Sequence, residues 1–154
     1  MRRKLVPMIV ASVLGATALF AAPAANAASR PVCRGSTVQY FSDGGAGVTM
    51  PATTRDGDIG CRLRPGDSGV GVEWLQETLR LCYGPLNADV ANLRVDGRFG
   101  NRTAAALAFA QATEKITPDG IYGPQTAEHL AFITIDGRPG LCWYPFAGPL
   151  PQVP

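Results

Sequence analysis

One eight-residue pattern occurs twice in the 154-residue chain: Asp96-Gly97-Arg98-Phe99-Gly100-Asn101-Arg102-Thr103 and Asp119-Gly120-Ile121-Tyr122-Gly123-Pro124-Gln125-Thr126, offset by 23 residues. The shared positions are Asp, Gly, an aromatic, Gly and Thr. Each suits a tight entry into a helix. Asp accepts backbone N–H bonds two residues on. The following Gly takes a positive φ at little cost. The aromatic ring turns inward, the second Gly lets the chain bend, and Thr falls in the first helical turn, where its hydroxyl serves orphan backbone groups. Two copies do not make a solenoid. An EF-hand needs alternating oxygen ligands and a distant Glu, which neither copy has. Asp136-Gly137-Arg138-Pro139-Gly140 keeps the start of the pattern without the aromatic or the Thr, and reads as a turn.

Helical patterns surround the repeat. Asp67 and Ser68 are N-cap types before a helix with Val72, Leu75 and Leu79 on one face, stopped by Gly84-Pro85 after Tyr83. Trp74 follows that stripe by one position and should be half-buried. A second helix is expected from Asn101, as N-cap, to about Lys115. Its buried stripe is Leu107 and Ala110 with Ala104 or Ala106. A third takes Pro124 in its first turn and runs from Gln125 to about Ile133, with Ala127, Leu130 and Ile133 inward. Asp136-Gly137 then turns the chain into a Pro- and aromatic-rich tail, Leu141 to Pro154, that is unsuited to helix. Within it, Trp143 and Tyr144 either cover the domain's end or stack on sugar.

Residues 29–62 are rich in Gly, Thr and Asp. Thr37 to Phe41 and Val48 to Met50 have strand character around a Ser42-Asp43-Gly44-Gly45 turn. Two strands alone are marginal in water, so the hairpin needs a disulfide and packing on the main domain. The four cysteines, Cys33, Cys61, Cys82 and Cys142, allow three connectivities. We expect Cys33–Cys61, closing the extension, and Cys82–Cys142, tying the start of the core to its end. Zinc is disfavoured: no Cys-x-x-Cys spacing occurs, and the single histidine, His129, is remote in sequence from all four.

Residues 1–28 read as a secretory signal peptide. Arg2, Arg3 and Lys4 precede an apolar run from Leu5 to Ala22, and Ala25-Asn26-Ala27 offers a cleavage site, with the cut after Ala27 or Ala28. The run has no charged stop-transfer flank, so a retained membrane helix is the weaker reading. Three of the 14 basic residues leave with the signal. The remaining 11 face 12 acidic residues, a net charge of about −1. No basic face is left to release counterions from nucleic acid.

The run Gly66-x-x-Gly69-x-x-Val72-x-x-Leu75-Gln76-x-x-Leu79, the first copy continuing through Ala106-Leu107 to Gln111, and the second continuing to Leu130 together resemble the peptidoglycan-binding domain-1 family over about residues 63–132. The resemblance implies a mainly α, compact three-helix domain at 63–135, here with the small hairpin extension at 29–62 and a tail at 136–154. It also implies docking on peptidoglycan, through glycan or stem peptide, often beside a wall hydrolase. Two departures stand out. Ala110 occupies the position where the family has Phe, with Phe109 one step earlier, and the Tyr83 to Val95 loop is longer.

A non-catalytic, secreted and wall-associated protein without cofactor or metal is expected, with no membrane contact after signal cleavage. The flanks are too short for a catalytic domain. A serine nucleophile would need a base, and His129 reads as an exposed side chain. Asp96 and Asp119 have turn roles that already explain them, so they are not a glycosidase pair. Sugars stack on aromatics, and peptide carboxylates seek Arg or helix N-termini. If the N-termini of the second and third helices converge, the variable positions Arg98, Asn101, Arg102, Ile121, Tyr122 and Gln125 line one groove. Phe99 and Tyr122 are both expected to pack in the core, with the Tyr122 hydroxyl able to reach solvent. A secreted interaction or inhibitor protein reusing the fold is the alternative.

Overall fold

The computed structural model describes residues 30–40, 47–55, 57–135, 142–145 and 148–149. The signal segment 1–28, the 42–45 turn, the partial third copy 136–140 and much of the tail lie outside them. The chain starts with an antiparallel hairpin, β1 (Gly35–Tyr40) and β2 (Gly47–Ala52), paired from Gly35↔Ala52 to Tyr40↔Gly47. Every residue of β2 is buried. Val48, Met50 and Ala52 have no exposed surface and belong to the main core.

Helix α1 (Val70–Thr78) packs on β2 and buries the expected Val72 and Leu75. Its N-cap is Gly69, at φ 117°, rather than Asp67 or Ser68. Asp67 instead accepts from the Arg64 N–H and pairs with Arg62 at 3.1 Å. A π-helical turn, Leu79–Tyr83, continues α1 and buries Leu79 and Tyr83. A 3-10 turn at Gly84–Leu86 then ends it, where Gly84-Pro85 was expected to.

The expectation of three helices is corrected by a fourth among the described residues, α2 (Ala88–Ala91). Asn87 caps it by accepting from the N–H groups of Asp89 and Val90. Helix α3 (Asn101–Thr113) buries Thr103, Ala106, Leu107, Ala110 and Gln111, so Ala106 and not Ala104 completes the stripe. Its N-cap is Gly100. Asn101 is the first helical residue, and no side chain caps the helix. Helix α4 (Pro124–His129) stops four residues before the expected Ile133. The reason is tertiary. Phe132–Ile133 forms β3, which pairs with β4 (Cys142–Tyr144) from the tail, and β4 pairs with β5 (Gly148–Pro149).

An antiparallel bridge, Val48↔Thr134, and the Ile135 N–H bond to Gly47 at 2.9 Å link β2 to the β3 segment. The disulfides are Cys33–Cys61 and Cys82–Cys142, the expected pairing. The described core is one cluster, running from Val48 and Met50 through Leu63, α1 and α3 to Leu130 and Phe132. Trp74 is half-buried, and Trp143 and Tyr144 are half-buried against that core.

Candidate functional site

The two repeated turns are built alike, and nearly every hydrogen bond of one recurs in the other. Each is clasped by a buried glutamine from the preceding long helix. Gln76 Nε2 reaches Asp96 Oδ1, the Arg98 carbonyl and Thr103 Oγ1 at 3.0–3.1 Å, and its Oε1 accepts from the N–H groups of Asp96 and Gly97. Gln111 Nε2 reaches Asp119 Oδ1, the Ile121 carbonyl and Thr126 Oγ1 at 2.9–3.0 Å, and its Oε1 accepts from Gly120 N–H. The Asp of each turn also accepts from the N–H two residues on, at 3.0 Å and 2.9 Å. Gly97 and Gly120 take φ of 67° and 66°. A side-chain amide offers donor and acceptor at once, so one glutamine satisfies both the carboxylate and the exposed amides of a turn. That role is the missed signal. Gln76 and Gln111 stood in the sequence only as parts of a family pattern.

Residues 63–69 strap the turns together. Leu63 exchanges two backbone bonds with Tyr122, at 3.0 and 2.9 Å. Gly66 N–H donates to the Phe99 carbonyl, Phe99 N–H to the Asp67 carbonyl, and Gly69 N–H to the Gly97 carbonyl. Both aromatics are core residues. Phe99 is 2% exposed. Tyr122 is fully buried, edge-on to Phe132 with ring centroids 6.5 Å apart. Core packing of both rings is as expected, but the Tyr122 hydroxyl does not reach solvent: it is buried without a hydrogen-bond partner among the described residues, and burial pushes its phenol above the ordinary range.

The variable positions divide between two clefts of equal size rather than lining one groove. Arg98, Asn101 and Arg102 line a cleft of about 250 Å3 with Leu93, Arg94 and Asp96. Ile121, Gln125 and the backbone around Tyr122 border another of about 250 Å3, with Arg30, Arg62 and Asp119. The first cleft adjoins a third and larger one, about 530 Å3, and the two share Arg102. The larger cleft is lined by Asn87, Asp89, Val90 and Asn92 from the α2 region, and by Ala105, Ala106 and Phe109 from α3. Phe109 thus accounts for the departure at Ala110. Ala110 fills the core with no exposed surface, and the Phe109 ring one step earlier is half-buried in the cleft wall.

Charge separates the clefts. Arg94, Arg98 and Arg102 have no ion pair among the described residues, whose two are Arg62–Asp67 and Arg80–Glu77. Asp96 is exposed, and its carboxyl is held below the usual carboxylate range, first by the Gln76 hydrogen bond, then by Arg98 N–H, with the Arg94 and Arg98 guanidinium groups adding to the effect. His129 is exposed, with Nδ1 2.8 Å from the Gln125 carbonyl. Among the described residues, no group of three or more His, Cys, Asp or Glu could hold a metal ion, and no helix is long and apolar enough to cross a membrane.

Residues 68–130 match the family described as "putative peptidoglycan binding domain". The resemblance read from the helix and turn motifs therefore holds over that segment, which contains α1 to α4 and both turns. The hairpin and the C-terminal strands lie outside it. No curated protein and no solved structure matches the chain.

Proposed function

We propose that this chain is an exported, non-catalytic module that binds bacterial peptidoglycan through the concave face where the two adjoining clefts meet at Arg102. The observation that carries the reading is this pairing of a polar, arginine-rich cleft with a larger one walled by Phe109, inside the segment that matches the peptidoglycan-binding family. A wall polymer alternates sugar and peptide. Sugars favour an aromatic flanked by amides, as Phe109 is by Asn87 and Asn92. Peptide carboxylates favour guanidinium groups. The two disulfides and the charged-apolar-small N-terminus support export. Recruitment of a wall hydrolase fits the same reading, since a wall-bound module raises the local concentration of whatever it carries.

The test is co-sedimentation of the mature chain with purified sacculi. We expect the chain to pellet, and Phe109→Ala and Arg102→Ala each to weaken retention by about tenfold, the effect of losing one good contact. Ile121→Ala, at the separate cleft, should leave retention unchanged. Failure to pellet with sacculi of several wall types would sink the proposal.

A further inference from the structure

We infer that the cleft at the first turn takes a peptide carboxylate of the wall polymer rather than its sugars, an inference that rests on the wall-binding reading above. The two repeated turns share one scaffold, the same glutamine clasp and a cleft of the same volume. They differ in what the variable positions present. Arg98 and Arg102 of the first turn correspond to Ile121 and Gln125 of the second.

Arg94 adds a third guanidinium to the first cleft, against the single carboxylate of Asp96. That carboxylate is already engaged, with Oδ1 accepting from Gln76 and from Arg98 N–H. Glu73 packs at Gly97 but does not line the cleft. None of the three guanidinium groups donates a hydrogen bond to the protein or forms an ion pair among the described residues. In the second cleft both arginines have a partner, although the buried Arg62 Nε makes no hydrogen bond among the described residues. Arg62 is paired with Asp67, and Arg30 donates to the Gly60 carbonyl. No aromatic residue lines the first cleft, so it lacks the surface on which a sugar stacks. A cluster of uncommitted guanidinium forks matches a planar carboxylate, which it can bind in bidentate fashion.

The test uses the intact mature chain and muropeptides from sacculi freed of phosphate polymers. One portion keeps its stem-peptide carboxylates, and the other has them amidated. The variant is Arg98→Ile with Arg102→Gln, which gives the first turn the residues the second already carries, so the scaffold is known to accept them. By calorimetry the wild type should bind the free-acid muropeptides at least about tenfold more tightly than the amidated ones, and the double variant should lose that difference. Equal affinity for the two preparations overturns the inference, as does undiminished preference in the variant. Retention on peptide-free glycan strands as strong as on whole sacculi does so too. In each of these cases pelleting with sacculi persists and the wall-binding reading stands. Loss of pelleting by the wild type removes both.

Discussion

Gly97 and Gly120 occupy the same place in the two turns and the same left-handed conformation, but they meet different neighbours. A Cβ on Gly97 would lie 2.9 Å from Glu73 Oε1, the far end of a flexible side chain. On Gly120 it would lie 2.9 Å from the backbone carbonyl oxygen of Ala104 in α3, which cannot rotate away. The backbone strain of alanine, about 1 kcal/mol, is common to both. Only Gly120→Ala adds overpacking against a helix. We expect urea midpoints to report losses of about 1 kcal/mol for Gly97→Ala and about 3 kcal/mol for Gly120→Ala. Equal losses would contradict the account. Asp96 gives a prediction with pH. Its folded-state pKa is depressed, chiefly by Gln76. Its contribution to stability is therefore complete above the ordinary carboxylate pKa and is lost as pH falls through the depressed folded value. Asp96→Asn keeps the Oδ1 acceptor for both bonds but does not titrate. Its denaturation midpoint should fall less steeply than the wild type's on acidification below the carboxylate range. Parallel acid limbs for the two proteins would refute this.

Between elements, the π-helical turn, the end of α3 and β4 meet at Glu114. Its carboxylate accepts from the Tyr83 hydroxyl at 2.8 Å and from the Tyr144 hydroxyl at 2.9 and 2.8 Å. Tyr83 does more, because its oxygen also accepts from the buried Ala131 N–H at 2.8 Å. Tyr83→Phe strands that donor and should cost about 3 kcal/mol, whereas Tyr144→Phe removes one partner of a half-exposed carboxylate and should cost about 1 kcal/mol. Thermal melts that reversed the order would show that the tail strand, rather than the Ala131 amide, depends on this cluster. The same junction shows what can be read from sequence. Val72, Leu75 and Leu79 are periodic over two turns, so the buried face of α1 was legible. The turns were legible because Asp and Gly have narrow backbone roles. Helix α2 was not, since four residues carry no period and only Asn87 marks its start. The end of α4 was hidden because Phe132–Ile133 is drawn into a sheet by Cys142 and Trp143 of the tail. The clefts were hidden for a related reason: the wall of the larger one joins α3 to a short helix that sequence did not disclose. Whether the two helix starts share one groove is a matter of tertiary geometry, and their variable positions line separate clefts.

For the whole molecule, the matched segment is smaller than the shared core. The family match begins at Ser68, yet β2 puts Val48 and Met50 into the same core as Leu75 of α1 and Leu107 of α3, all without exposed surface. If the hairpin were decoration tied on by Cys33–Cys61, truncating its side chains would cost little. A shared core makes the opposite demand. Met50→Ala should cost about 3 kcal/mol, as much as Leu107→Ala inside the matched segment, because both leave cavities in one packed cluster. Against a total stability of about 5–15 kcal/mol, deleting residues 29–62 altogether uncovers the β2-facing side of α1 and should abolish cooperative melting of the remainder. Circular dichroism on the point variants and on residues 63–154 decides it. A Met50→Ala loss under about 1 kcal/mol, or a sharp transition in the truncated chain, would show that the four helices and their two turns fold as a unit without the hairpin. The proposed binding face would then be supported by the matched segment alone. On the present account the hairpin supports it indirectly, since β2 backs the helix from which Gln76 clasps the arginine-bearing turn.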